Sequence, residues 1–158
     1  MKSKPQPHIA LTRTEALFLL KPDEDGKSFS DKNEITIMCK PPDNKNDWRS
    51  SASDDYYSIL ENATIYKNFE IWLSEGQSKI GTQHLINKMN IPQECLLTIA
   101  VLCHSSTDVD LITTEIADDK EMIEDFLSYH CQYDLENISW MTGETVKLNY
   151  LTEKSFEK

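Results

Sequence analysis

The chain has 158 residues, with 16 Lys and Arg against 27 Asp and Glu, a formal net charge of −11, and 39% hydrophobic residues. That length suits one domain whose core needs neither disulfides nor metal, and the acidity disfavours nucleic acid and anionic membranes as partners. No apolar run approaches the roughly 18 residues of a membrane helix, and the Met1–Pro5 start lacks the apolar stretch of a signal peptide, so a soluble, cytoplasmic protein is expected.

Residues 1–11, with Pro5 and Pro7, read as an extended N-terminal arm, and residues 12–158 as a single globular domain. Thr12-Arg13-Thr14-Glu15 is a capping-box pattern ahead of the apolar block Ala16–Leu20, and Lys21-Pro22 ends the helix that it starts. Glu34–Lys40 alternates, with Ile35, Ile37 and Cys39 on one side, which predicts a half-buried strand. Pro41-Pro42 closes it, and Asp43–Asp55 reads as a long polar loop around Trp48.

From Asp54 the apolar residues Tyr56, Ile59, Leu60, Ala63, Tyr66, Phe69 and Leu73 recur at spacings of three and four, predicting one long helix that ends at Gly76. Trp72 continues its buried side. Thr82–Asn90 gives a shorter helix presenting Leu85, Ile86 and Met89. Leu96–Cys103 is apolar on nearly every side and predicts the central helix, with a buried strand over Leu97–Cys103 as the alternative.

Val109, Leu111, Ile112 and Ile116 suggest another helix. Asp118-Asp119 caps a last one, turning Met122, Ile123, Phe126, Leu127 and His130 inward and leaving Glu121, Glu124 and Asp125 in solvent. Glu144–Leu151 alternates again and predicts a strand pairing with Glu34–Lys40. The expected fold class is therefore mainly α with a minor two-stranded β element (α+β), a compact helical domain of about five or six helices.

The charge is unevenly placed. Between Met89 and Val146 there are twelve carboxylates and one base, Lys120, whereas the first fifty residues hold nine bases and eight acids. A cluster of this kind is commonly a set of solvated helix faces, but its concentration in one segment suits a basic protein partner and fast, salt-sensitive association. The candidate partner-binding residues are Asp108, Asp110, Glu115, Asp118, Asp119, Glu121, Glu124 and Asp125, with Trp48 and Trp140 as aromatic anchors.

Catalytic and metal chemistry find little support. Cys103-His104 and His130-Cys131 are the only Cys/His coincidences, and adjacent residues on a helix point about 100° apart, so each pair is poorly built for one metal. Neither cysteine has a neighbouring positive charge to activate a thiolate. No two of the four glycines lie close enough to form a phosphate-cradling loop. No cofactor and no metal are expected.

The sequence thus points to a non-enzymatic protein-binding protein. The first expectation is an acidic inhibitor of the immunity type that blocks a basic enzyme such as a nuclease or toxin. The alternative is a small acidic chaperone or adaptor for a secreted or partly unfolded protein, and the third is a Cys/His-dependent hydrolase.

Overall fold

The computed structural model describes residues 7–40, 47–62, 65–66, 68–144 and 148–156. It corrects the expected fold class. Among the described residues seven strands form two antiparallel sheets, and the helices are short.

Sheet A is built from β1 (His8–Leu11), β2 (Thr36–Cys39), β3 (Arg49–Ser51) and β4 (Phe69–Trp72), in the order β1-β4-β2-β3. Sheet B is built from β5 (Glu94–Cys103), β6 (Val109–Ala117) and β7 (Ile138–Gly143), in the order β6-β5-β7. The helices are α1 (Arg13–Leu20), α2 (Phe29–Lys32), α3 (Asp55–Glu61), α4 (Lys79–Asn87) and α5 (Lys120–Asp125), the last running into a π-helical turn over Phe126–His130.

The expected capping box is formed. Thr12 Oγ1 accepts from the Glu15 N–H at 3.1 Å, and Glu15 Oε1 accepts from the Thr12 N–H at 2.9 Å. Two terminal donors are thereby satisfied, an arrangement typically worth about 1 kcal/mol. The expected strand, the Thr82–Asn90 helix and the Asp119 cap also stand, as β2, α4 and α5.

Four expectations are overturned. The long helix from Asp54 stops at Glu61, and Phe69–Trp72 forms β4 instead. Phe69, Ile71 and Leu73 satisfy a period of two as well as Tyr66, Phe69 and Leu73 satisfy helical spacing, and pairing on both sides of β4 decides between them. The Leu96–Cys103 run is β5, the strand alternative, because Thr98, Ile99 and Val101 are β-branched and β6 is at hand as a partner.

Val109–Ala117 is a strand for a related reason: Val109 and Leu111 lie on one face, Ile112 and Ile116 on the other, so the apparent helical spacing mixes two faces. The Glu144–Leu151 strand is not seen in its described part, Glu144 and Leu148–Leu151, and β2 pairs with β3 and β4 instead. Within the expected Asp43–Asp55 loop, positions 43–46 lie outside the described residues and Arg49–Ser51 forms β3.

One buried cluster joins the sheets. Ile9, Ile37 and Ile71 from sheet A meet Leu17, Leu20, Ile59 and Leu60 from the helices, and Leu97, Ile99 and Val101 from sheet B with Ile123 and Leu127 beyond. Polar ties stitch the halves together: Glu94 Oε1 accepts from the Thr14 N–H at 2.8 Å and from its hydroxyl at 2.5 Å, and the Arg13 guanidinium donates to the Glu115 carbonyl at 2.8 Å. Among the described residues no helix is long and apolar enough to cross a membrane.

The loop between α1 and α2 and the first turn of α2 should make stability fall with acid in a defined window. Lys32 and the Lys27 N–H hold the Asp23 carboxyl down to about 2, and the Ser28 N–H lowers that of Asp31. A carboxyl depressed in the folded state stabilises above its ordinary value of 3.8, and that contribution is lost as pH falls toward 2. Thermal melts stepped through this range should therefore show falling midpoints, and Asp23→Asn should flatten the fall; an unchanged slope would remove Asp23 from the account.

Candidate functional site

Alternation along sheet B separates two apolar populations. Leu97, Ile99, Val101 and Ile116 point inward and are buried, with Ile112, Ile138 and Trp140 partly buried beside them. The opposite face carries Leu96, Leu102, Val109, Leu111 and Met141, which are 62%, 46%, 48%, 46% and 62% exposed.

The register places four of these side chains in two adjacent rows. Leu111, Ala100 and Met141 lie across the sheet, the next row is Val109, Leu102 and Ser139, and Leu96 stands opposite Glu115 on the far side of the Thr113, Thr98 and Gly143 row. A soluble chain seldom leaves so many large apolar side chains side by side in water unless something docks there.

Carboxylates border this face. Asp108 lies at the β5–β6 turn, Glu115 on the face itself, and Asp118 and Glu144 beyond the opposite end, all exposed. Near that end Leu96, Asp118, Gly143 and Glu144 line a cleft of about 480 Å³ with Cys95 and Leu97. At the other end His104 is tied down: its N–H donates to the Asn137 carbonyl at 2.8 Å, and its Nε2 lies 2.8 Å from Ser139 Oγ.

The acidic residues singled out in the sequence fall into distinct places. Asp108, Glu115 and Asp118 border the exposed face. Asp110 points inward and accepts from the Tyr133 hydroxyl at 2.6 Å. Asp119 caps α5 through the Met122 N–H at 3.0 Å. Glu121 and Asp125 both meet Lys21, Asp125 also accepts from the Tyr56 hydroxyl, and Glu124 pairs with Lys120 at 3.9 Å. Burial first, and these carboxylates second, raise the hydroxyl pKa of Tyr56 and Tyr133 above the ordinary value.

A second cleft of about 440 Å³ lies along α5, lined by Asp119, Lys120, Glu121, Glu124, Asp125 and Leu135, but those acids are already engaged as caps or ion pairs. Its carboxylates serve the fold before any partner.

The two tryptophans are also separated. Trp140 lies on the inner face of sheet B and packs partly buried against the core. Trp48 sits with its ring centroid 6.0 Å from that of Trp72, with Lys40 Nζ 5.0 Å above it. Trp72 itself is on the outer side of sheet A, where its Nε1–H donates to Glu70 at 3.0 Å. Neither Trp48 nor Trp140 borders the exposed apolar face.

The cysteine and histidine candidates are likewise dispersed. His130 Nδ1 lies 2.8 Å from the Glu61 carbonyl and its ring stacks on Phe126, while His104 faces Ser139. Burial pushes the Cys131 thiol up, the wrong direction for a nucleophile. Among the described residues no group of three or more His, Cys, Asp or Glu side chains is placed to hold a metal ion.

The residues missed from the sequence are Leu96, Leu102, Val109 and Leu111, which a helical reading buries, and Met141, for which the sequence suggests no element. The available signal was the β-branched content of both strands, which favours a sheet and so gives each apolar run two faces. No protein-family model, curated protein or solved structure matches this chain.

Proposed function

We propose that this is a non-catalytic protein-binding protein, an inhibitor of the immunity type that holds a basic enzyme such as a nuclease or toxin on the outer face of sheet B. The observation that carries this reading is the patch of exposed Leu102, Val109, Leu111 and Met141, with Leu96 further along the same face, bordered by Asp108, Glu115, Asp118 and Glu144. Apolar groups at the centre of an interface slow dissociation, while unlike charge around it speeds the encounter. No base lies between Met89 and Lys120, so the face repels an acidic partner and selects one rich in Lys and Arg. Four free cysteines suit the reducing cytoplasm, where the protein is placed on this reading.

The chaperone or adaptor reading draws on the same apolar face, which would suit an unfolded or secretion-bound segment. Stoichiometry separates the two, since an inhibitor titrates a folded, active enzyme one to one. The test is affinity capture from the native host with the wild-type chain and with Leu111→Asp/Met141→Asp, at low and high salt. A single basic enzyme should be retained, inhibited at equimolar ratio, released by salt, and bound by the variant at least about 30-fold more weakly, the loss of about 2 kcal/mol that marks an interface centre. Equal capture by the variant would remove the face from the mechanism.

A further inference from the structure

The open side of sheet B indicates how a partner would engage it. β7 is hydrogen-bonded on one side only, to β5. Its other side presents outward N–H and C=O groups, and among the described residues no further backbone bond reaches Ile138–Gly143. Chains generally guard such an edge with charge, proline or brevity, because it is a template for another strand.

The other edges here are guarded. β6 carries Asp110 and Glu115 and has the Arg13 guanidinium on its Glu115 carbonyl. β1 is four residues long and follows Pro7, and β3 is three residues long. β7, reading Ile-Ser-Trp-Met-Thr-Gly, has neither charge nor proline over six residues. It also adjoins the exposed apolar face directly, through Met141.

Resting on the reading of that face as the binding surface, we propose that β7 is a docking edge, and that an extended basic segment of the partner adds to sheet B as a fourth strand. Backbone pairing would supply affinity, and alternate side chains specificity. One alternate set of the added strand lies beside Ser139 and Met141 and continues the apolar face. At the strand's ends, exposed Glu144 on one side and exposed Glu136 on the other call for Lys or Arg. The fitting segment alternates apolar residues and has basic residues at both ends.

The same charges argue against a second copy as the occupant. Antiparallel pairing of Ile138–Gly143 with its own copy would set Glu144 of each chain opposite Asn137 of the other, one position from exposed Glu136, and like charges brought this close disfavour a strand pair.

The test uses the full chain, isotopically labelled, and a synthetic peptide of sequence Lys-Lys-Val-Thr-Val-Thr-Val-Lys-Lys. Amide exchange and chemical shifts are read with this peptide, and with a version N-methylated at alternate residues so that it cannot pair along one edge. Slowed exchange of β7 amides, with binding weakened at least about tenfold by N-methylation, is the expected result. Shifts over Leu111 and Ala100 with no β7 protection, and equal binding of both peptides, would overturn strand addition while leaving the face reading intact. Absence of binding, or a dimer of the chain formed through β7, would overturn it as well. The Leu111→Asp/Met141→Asp capture experiment judges the face reading separately.

Discussion

Tyr56→Ala should lower the free energy of unfolding by about 3–5 kcal/mol, the range for removing a buried aromatic side chain. Tyr56 is 1% exposed and packs edge-on to Tyr57 at a centroid distance of 5.1 Å. Its hydroxyl donates to Asp125, which also meets Lys21 at 3.5 Å, so one side chain links α3, α5 and the end of α1. Tyr56→Phe isolates the polar part. It should cost about 1.5–3 kcal/mol, the usual worth of a hydrogen bond to a charged group. A urea double-mutant cycle with Asp125→Asn checks the link, and additive effects would show that the two residues act independently.

The second large effect contrasts the two faces of one sheet. Ile99 is fully buried on the inner face, and Ile99→Ala should cost about 2–5 kcal/mol through lost burial and a residual cavity. Leu111 is 46% exposed on the outer face. Leu111→Ala should change stability by no more than about 0.5 kcal/mol, as surface substitutions do. The two substitutions remove comparable apolar groups, so only their faces distinguish them. Urea unfolding of both variants decides the matter, and a Leu111→Ala loss as large as that of Ile99→Ala would mean that the outer face is part of the fold and not a free surface.

What could be read from the residues was local. The Thr12–Glu15 box, the Asp119 cap and the Ile35–Cys39 alternation are set by neighbours a few positions apart, and they appear in the structure. The sheets depend on partners far along the chain. Phe69–Trp72 is a strand because β1 and β2 flank it, and neither lies near it in sequence.

The acidity of the C-terminal half was legible, but which carboxylates are free was not. Asp110 is occupied by Tyr133, 23 positions away, and Asp125 by Tyr56, 69 positions away. Apolar residues of the exposed face were equally hidden, because a run such as Leu96-Leu97-Thr98-Ile99 does not say which side a core will choose.

The placement of the strands in the chain sets an order of assembly. β5 and β6 are joined by a short turn in which the Cys103 N–H bonds the Asp108 carbonyl at 3.2 Å, so they can zip together after closing a small loop. β1 must wait for β4, since His8 pairs with Trp72, and closing so long a stretch is entropically dearer and slower. The hairpin bearing the apolar rows can therefore be complete while the N-terminal sheet is still open. For that interval its buried face is as naked as its exposed one, so sister chains at high concentration should meet there before the core closes over it.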